Sequence, residues 1–329
     1  MIKKFPKKFA FIDLFAGIGG IRLGFEKAGY KCVFSSEIDR ECQLTYRLNF
    51  NEFPRGDITK IKSEEIPAHS ILTAGFPCQA FSICGRQRGF NDTRGTLFFE
   101  ILRIAKAKKP DVIFLENVKH LKYHDDKKTL SIIINNLEKI GYKVSWDILN
   151  AKDFGVAQNR ERIIIIGHKK KKFDFSKINK KRPVSLKKIL EKKGKFEYLQ
   201  LNEYTLLKNI KRQPSGLIFA GYRNKKIREN GTRPNTIHLS RVHKQPNRIY
   251  SSEGVHPTLP SQETAGRFFV LHDNKVRKLT IEECFRLMGF PKEFKKYSRN
   301  GNLYKQIGNS VVVPMVAELA YQIKNQFLK

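Results

Sequence analysis

Apolar positions in the first half of the chain fall into short runs separated by longer stretches of helical periodicity, the alternation that βαβ units around a parallel sheet produce. Residues 9–15 read as a buried first strand, 21–28 as a helix and 32–35 as a second strand. Further strands are expected at 71–74, 112–115, 143–149 and 162–167, with helices at 96–108 and 128–140. A Rossmann-like, doubly wound α/β sheet is the simplest arrangement of these elements. Beyond residue 168 the pattern breaks into lysine runs, isolated Gly and Pro and short mixed segments as far as about 266, which marks a second, smaller domain. Near the end Val316, Leu319, Ala320, Ile323 and Phe327 recur at helical spacing behind Pro314, predicting a core-facing helix over 312–327 that returns to the first domain.

Composition supports two lobes. The 329 residues exceed what one core usually organises, and 40% hydrophobic with 11% aromatic residues supply ample core material. Charge adds more: 64 Lys and Arg stand against 31 Asp and Glu, a formal net charge of +33, with a pI near 10.0. Polyanions are the expected partner. Residues 169–250 hold 24 of the basic and 5 of the acidic residues, a basic region suited to phosphate contacts. The five cysteines are scattered without a C-x-x-C pair, which argues against a disulfide framework and a zinc knuckle and fits a reducing cytoplasm. No signal-peptide core and no run of about 18 apolar residues is present, so neither secretion nor a membrane span is expected.

Three loops could carry chemistry. In Phe11-Ile12-Asp13-Leu14-Phe15-Ala16-Gly17-Ile18-Gly19-Gly20 a strand meets a glycine cluster and then a helix, a turn where backbone can approach a ligand. Its spacing departs from G-x-G-x-x-G, and Glu37 at the second strand's end suits the ribose hydroxyls of either NAD or S-adenosylmethionine. Asp57, in Gly56-Asp57-Ile58, could accept from an adenine amino group. The second loop, Gly75-Phe76-Pro77-Cys78-Gln79, follows a strand and precedes Arg86, Arg88 and Arg94, surroundings that favour a thiolate at Cys78. The third site pairs Glu116-Asn117-Val118, expected as a loop after 112–115, with Gln158-Asn159-Arg160-Glu161-Arg162. The two arginines, spaced two apart, share one side of an extended strand.

In order and spacing these motifs, with 277–291 and Gly308-Asn309-Ser310-Val311, resemble the bacterial DNA cytosine-5 methyltransferases of restriction-modification systems over nearly all of the chain except about 169–248. The resemblance implies a sheet that binds S-adenosylmethionine, in a discontinuous catalytic domain of 1–172 plus 303–329, with 173–302 as target-recognition domain and hinge. It implies that Cys78 attacks C6 of cytosine, Glu116 engages N3 and the exocyclic amine, Arg162 holds O2, Arg160 supports the site, and Pro77 and Gln79 complete the nucleophile turn. Phe15 would stack on adenine, Gly17, Gly19 and Gly20 make room for the methionine part, Glu37 bind ribose, Asp57 and Ile58 recognise adenine, and Asn309 and Ser310 close the pocket.

The target base must leave the duplex. Residues 82–94, with Ser82, Arg86, Arg88 and Arg94 as contacts and Gly85 and Gly89 as hinges, resemble the family's closing loop. Two positions depart from relatives: Cys84 stands where some have a gap-filling Ser, and Ile38 where several have an aromatic ring beside adenine. In the basic middle region, Arg223 and Arg241 are candidates for DNA contact, and Thr258 for contact near the flipped nucleotide. Double-stranded DNA is the expected partner of a monomer, with a cognate restriction endonuclease acting separately. No metal and no membrane is expected. The rival readings are an RNA (tRNA) cytosine-5 methyltransferase and a non-catalytic DNA-binding regulator on the same fold.

Overall fold

The computed structural model describes residues 7–76, 97–224, 247–261 and 268–328. A six-stranded sheet in the order β2-β1-β3-β4-β7-β5 forms the large domain. Its strands are β1 (Ala10–Leu14), β2 (Lys31–Ser36), β3 (Ile71–Gly75), β4 (Val112–Val118), β5 (Lys143–Asn150) and β7 (Glu161–His168), with a short β6 (Gln158–Asn159) ahead of β7. Strands β1 to β4 pair in parallel, but β7 runs antiparallel to both β4 and β5. The parallel sheet expected from the βαβ pattern thus carries one antiparallel strand. A parallel crossover needs a dozen or more residues and usually a helix, whereas only ten lie between β5 and β7.

Period-two alternation divides the side chains between two cores. On one face Phe11, Ile71, Phe114, Ile164 and Ile166 meet Ile21 and Phe25 of α1 (Gly20–Lys27) and Val316, Leu319 and Ile323 of α7 (Val313–Ile323). On the other, Ile12, Leu72, Ile113, Ile163 and Ile165 meet α3 (Leu97–Lys108) and α4 (Lys128–Lys139). The terminal helix therefore does return to the sheet, and continues as one wider turn over Lys324–Leu328. Helix α2 (Arg40–Phe50), which periodicity did not reveal, buries only Thr45 and Tyr46; its signal is Asp39, whose side chain caps the amides of Glu41 and Cys42.

The middle region is more ordered than its pattern suggests. A second sheet, in the order β13-β12-β10-β9-β8, is built from β8 (Tyr204–Leu206), β9 (Phe219–Arg223), β10 (Arg248–Ser251), β12 (Phe269–His272) and β13 (Lys275–Lys278). Strand β11 (His256–Pro257) leaves it to pair with β6. The expected boundaries at 172/173 and 302/303 do not follow a break in packing. Phe173, Ile178, Leu186 and Leu190, and Cys284, Phe285 and Leu287 of α5 (Ile281–Leu287), share the core of α1 and α7. Phe173 packs edge-on to Phe327, which also stacks on His168 at 3.9 Å, and these apolar contacts hold the lysine-rich stretch on the large domain.

Candidate active site

The carboxyl ends of β1 to β4 and the start of β7 border a cleft of about 690 Å³, reaching from Phe15, Glu37 and Asp57 to Glu116 and Arg162. Such a cleft at the carboxyl edge is where open α/β sheets bind ligands, and its volume suits a nucleoside-sized molecule.

The glycine turn is stitched to the end of β2. Ala16 donates its N–H to the Ser36 carbonyl, and Gly17 donates to Glu37 Oε2 at 2.7 Å while Asp39 donates to Glu37 Oε1 at 2.7 Å. Glu37 thus shapes the turn as well as lining the cleft, and burial raises its carboxyl above the ordinary range. Gly17 has φ 55, and a Cβ there would meet nothing within 4 Å. Its backbone is open for close approach by a ligand. Phe15 also takes positive φ, at 57, and faces the cleft.

The neighbouring glycines do something else. A Cβ on Gly19 would strike the Phe50 ring, and one on Gly20 would lie 2.7 Å from Ser310 Oγ. Gly19 thus admits α2, and Gly20 admits the segment after α6 (Asn300–Asn309). That segment brings Asn309 to the cleft and Ser310 to its inner extension. Lys305 of α6 reaches Asp39 at 2.9 Å, a strap between α6 and α2. Asp57 caps its own turn by accepting from Thr59 N at 3.0 Å, and Ile58 is buried beside it. Ile38 is 72% exposed at the cleft, leaving an open apolar surface.

Glu116-Asn117-Val118 is not a loop. Antiparallel pairing with β7, Asn117 to Ile163 and Val118 to Arg162, extends β4 through these residues. Glu116 and Arg162 then lie on one face, with Arg162 Nε 3.0 Å from Glu116 Oε1 and both side chains 11% exposed. Burial raises the Glu116 carboxyl above its usual range although Arg162 and Arg160 pull it down. Burial likewise lowers Arg162, with Glu116 opposing. Desolvation therefore outweighs pairing at both groups.

Arg160 is buried and takes a different role from Arg162. Its guanidinium donates to the carbonyls of Leu259 at 3.3 Å, Gly308 at 2.8 Å and Ser310 at 2.7 Å. It ties the segment after β11 to the end of α6 and the residue that follows it. Gln158 extends this junction by donating to the Leu287 carbonyl at 3.3 Å and accepting from Leu259 N at 3.1 Å. Thr258, half-buried beside it, donates to the Asn159 carbonyl at 3.0 Å.

Pro77, Cys78, Gln79, Ser82, Cys84, Arg86, Arg88, Arg94 and Arg241 lie outside the described residues. The approach to Cys78 is described, however. Asn117 donates to the Phe76 carbonyl at 2.8 Å and accepts from Val118 N at 2.8 Å, so the end of β4 holds the residue two before Cys78. No role was expected for Asn117 beyond its place in the motif. Burial pushes the Cys32 and Cys284 thiols up, and burial with Glu37 and Asp39 does the same to Cys42 at the cleft. None of these three is suited to be a nucleophile. Arg223 has its guanidinium 4.2 Å above the Phe269 ring on the second sheet. Among the described residues no cluster of His, Cys, Asp and Glu could hold a metal, and no helix is long and apolar enough to cross a membrane.

A sheet whose glycine turn, Glu37, Asp57 and Asn309 line one cleft at its carboxyl edge belongs to the class of α/β enzymes that bind a nucleoside cofactor there. Residues 9–325 match the family model described as C-5 cytosine-specific DNA methylase, and the chain belongs to that family. It is 41% identical to the Type II methyltransferase M.HhaI of Haemophilus parahaemolyticus over 95% of this chain and 93% of that protein. It is 43% identical to the Type II methyltransferase M.HaeII of Haemophilus aegyptius over 97% and 94%. Among solved structures, S. pombe Dnmt2 methyltransferase (TM-score 0.70, 19% identity, 97% and 99% covered) and Entamoeba histolytica methyltransferase EhMeth (0.69, 18%, 98% and 100%) share the fold.

Proposed function

We propose that this enzyme methylates C5 of a flipped cytosine within one short duplex DNA sequence, as the modification half of a restriction-modification system. The observation that carries the reading is the buried Glu116–Arg162 pair at the cleft edge, beside a strand end that Asn117 ties to the approach to Cys78. Bound S-adenosylmethionine supplies an electrophilic methyl group, and Gly17, Glu37, Asp57 and Asn309 would hold it. Cytosine C5 is a weak nucleophile. Addition of the Cys78 thiolate to C6, with the Glu116 proton passing to N3, places electron density on C5. Arg162 orients the ring through O2, and its charge keeps Glu116 from drifting further toward the neutral form. After methylation, loss of the C5 proton to water, return of the N3 proton to Glu116 and departure of Cys78 restore the aromatic ring.

The second sheet and its flanks, within 173–302, would read the target from the duplex side, with Thr258 placed at the junction beside Arg160. The enzyme would act as a cytoplasmic monomer, with a separate endonuclease cutting the same sequence when unmethylated. The relatives above are named Type II methyltransferases, which supports DNA over RNA as substrate. Labelled S-adenosylmethionine offered with duplex DNA or with tRNA tests this. Transfer to DNA is expected; transfer to tRNA alone would overturn it.

A further inference from the structure

We propose that the sheet edge opposite the active site is a second, sequence-independent docking surface for duplex DNA. Because β7 runs antiparallel, it enters at the cleft with Arg162 and leaves at the far edge with His168, level with Val112 of β4 and Lys143 of β5. The run 169–172, four exposed lysines, therefore emerges far from the cleft. Lys169 Nζ, 3.4 Å from Asp111 Oδ1, fixes the run beside exposed Lys109. Exposed Lys143 and Lys31 begin the two edge strands of the sheet.

Six strands about 4.8 Å apart make an edge of roughly 24 Å, the length of about seven base pairs. Of the nearby carboxylates Asp111 is turned to Ser70 and Lys169, Glu26 to Arg22 and Asp174 to Ser176, while Glu138 stands exposed beside Lys139. Helix dipoles account for lysines in the last turns of α1, α3 and α4. They do not account for Lys143 or for 169–172, which flank strands. The chemistry of the edge selects the partner. Lysines without an arginine fork suit phosphates rather than base edges. No large exposed apolar side chain occurs in the described residues 105–112, 138–144 and 168–174, so neither membrane insertion nor base stacking is served.

The test is a bridging assay with the full chain: a bead-bound duplex, a free labelled duplex of unrelated sequence, and the quadruple variant K139Q/K143Q/K170Q/K172Q. Four exposed lysines elsewhere, Lys60, Lys62, Lys292 and Lys295, changed to Gln, control for net charge. The wild type should capture the free duplex at low salt. The far-edge variant should lose at least tenfold of that capture and about four units of log–log salt slope, with unchanged thermal midpoint and methylation kcat. Absence of capture by the wild type, equal loss in the control variant, or preferential capture of duplex RNA would each overturn the proposal.

Discussion

The two edges of one sheet handle charge in opposite ways. At the cleft edge Glu37, Glu116, Arg160 and Arg162 are withdrawn from water and given fixed partners, and their proton affinities move as a result. At the far edge lysines stand exposed in a row, where each contributes little alone and salt screens them all. Burial makes a charge specific: its partner, its direction and its protonation state are set together. Exposure makes charge additive. One edge can therefore carry chemistry, and the other can only carry attraction.

Breaking the cleft edge should have the largest effects. Cys78→Ser should abolish turnover and eliminate the covalent complex with duplex DNA containing 5-fluorocytosine; a retained complex would remove Cys78 from its role. Glu116→Gln should lower kcat by about 10²–10⁴-fold. Since burial raises Glu116, the wild-type rate should fall as pH rises through that elevated value, and the Gln variant should lack this limb.

Arg160→Ala tests whether this residue positions or reacts. Its three carbonyl partners link the closing segment at 308–310 to Leu259. We expect KM for S-adenosylmethionine to rise by about tenfold, with a stability loss of about 1–3 kcal/mol from buried carbonyls left without donors. A fall in kcat alone would point to direct contact with the base.

An effect on stability alone, with none expected on the chemistry, concerns Asp13, buried on β1, whose carboxyl accepts from Thr73 Oγ1 at 3.0 Å. Burial raises its carboxyl to about 7, while the unfolded chain titrates near 4. The folded state keeps the proton over that interval, so this group's contribution is complete below about pH 4 and is lost as pH approaches 7. Asp13→Asn keeps an acceptor for Thr73 without the titration. Its stability relative to wild type should therefore increase between pH 5 and 8, by at most about 3 kcal/mol, as read by urea melts. A constant difference would contradict the assignment.

Legibility in the sequence followed the same division between buried and exposed. Strands such as Ile163–Ile166 and helices with a wide apolar stripe, α3 and α7, were evident because burial demands periodicity. Helix α2 escaped because only Thr45 and Tyr46 are buried, leaving its cap at Asp39 as the signal. The direction of β7 depended on a short connection rather than on any strand pattern. Site residues were legible as types in order, yet their division of labour was not. That Gly19 serves Phe50, that Asn117 holds Phe76, and that Arg160 binds three carbonyls from distant segments are facts of long-range packing. The second sheet stayed hidden because its strands are short and half-buried, with Tyr204, Ile249, Phe269 and Val276 as a small core of their own.

The central claim is a cytosine-5 methyltransferase whose chemistry is confined to the cleft edge. Bisulfite sequencing of DNA from a host expressing the chain tests it most directly. The account predicts conversion-resistant cytosines at one position of one short recurring sequence. Complete conversion of every cytosine, with the protein present and folded, would contradict it.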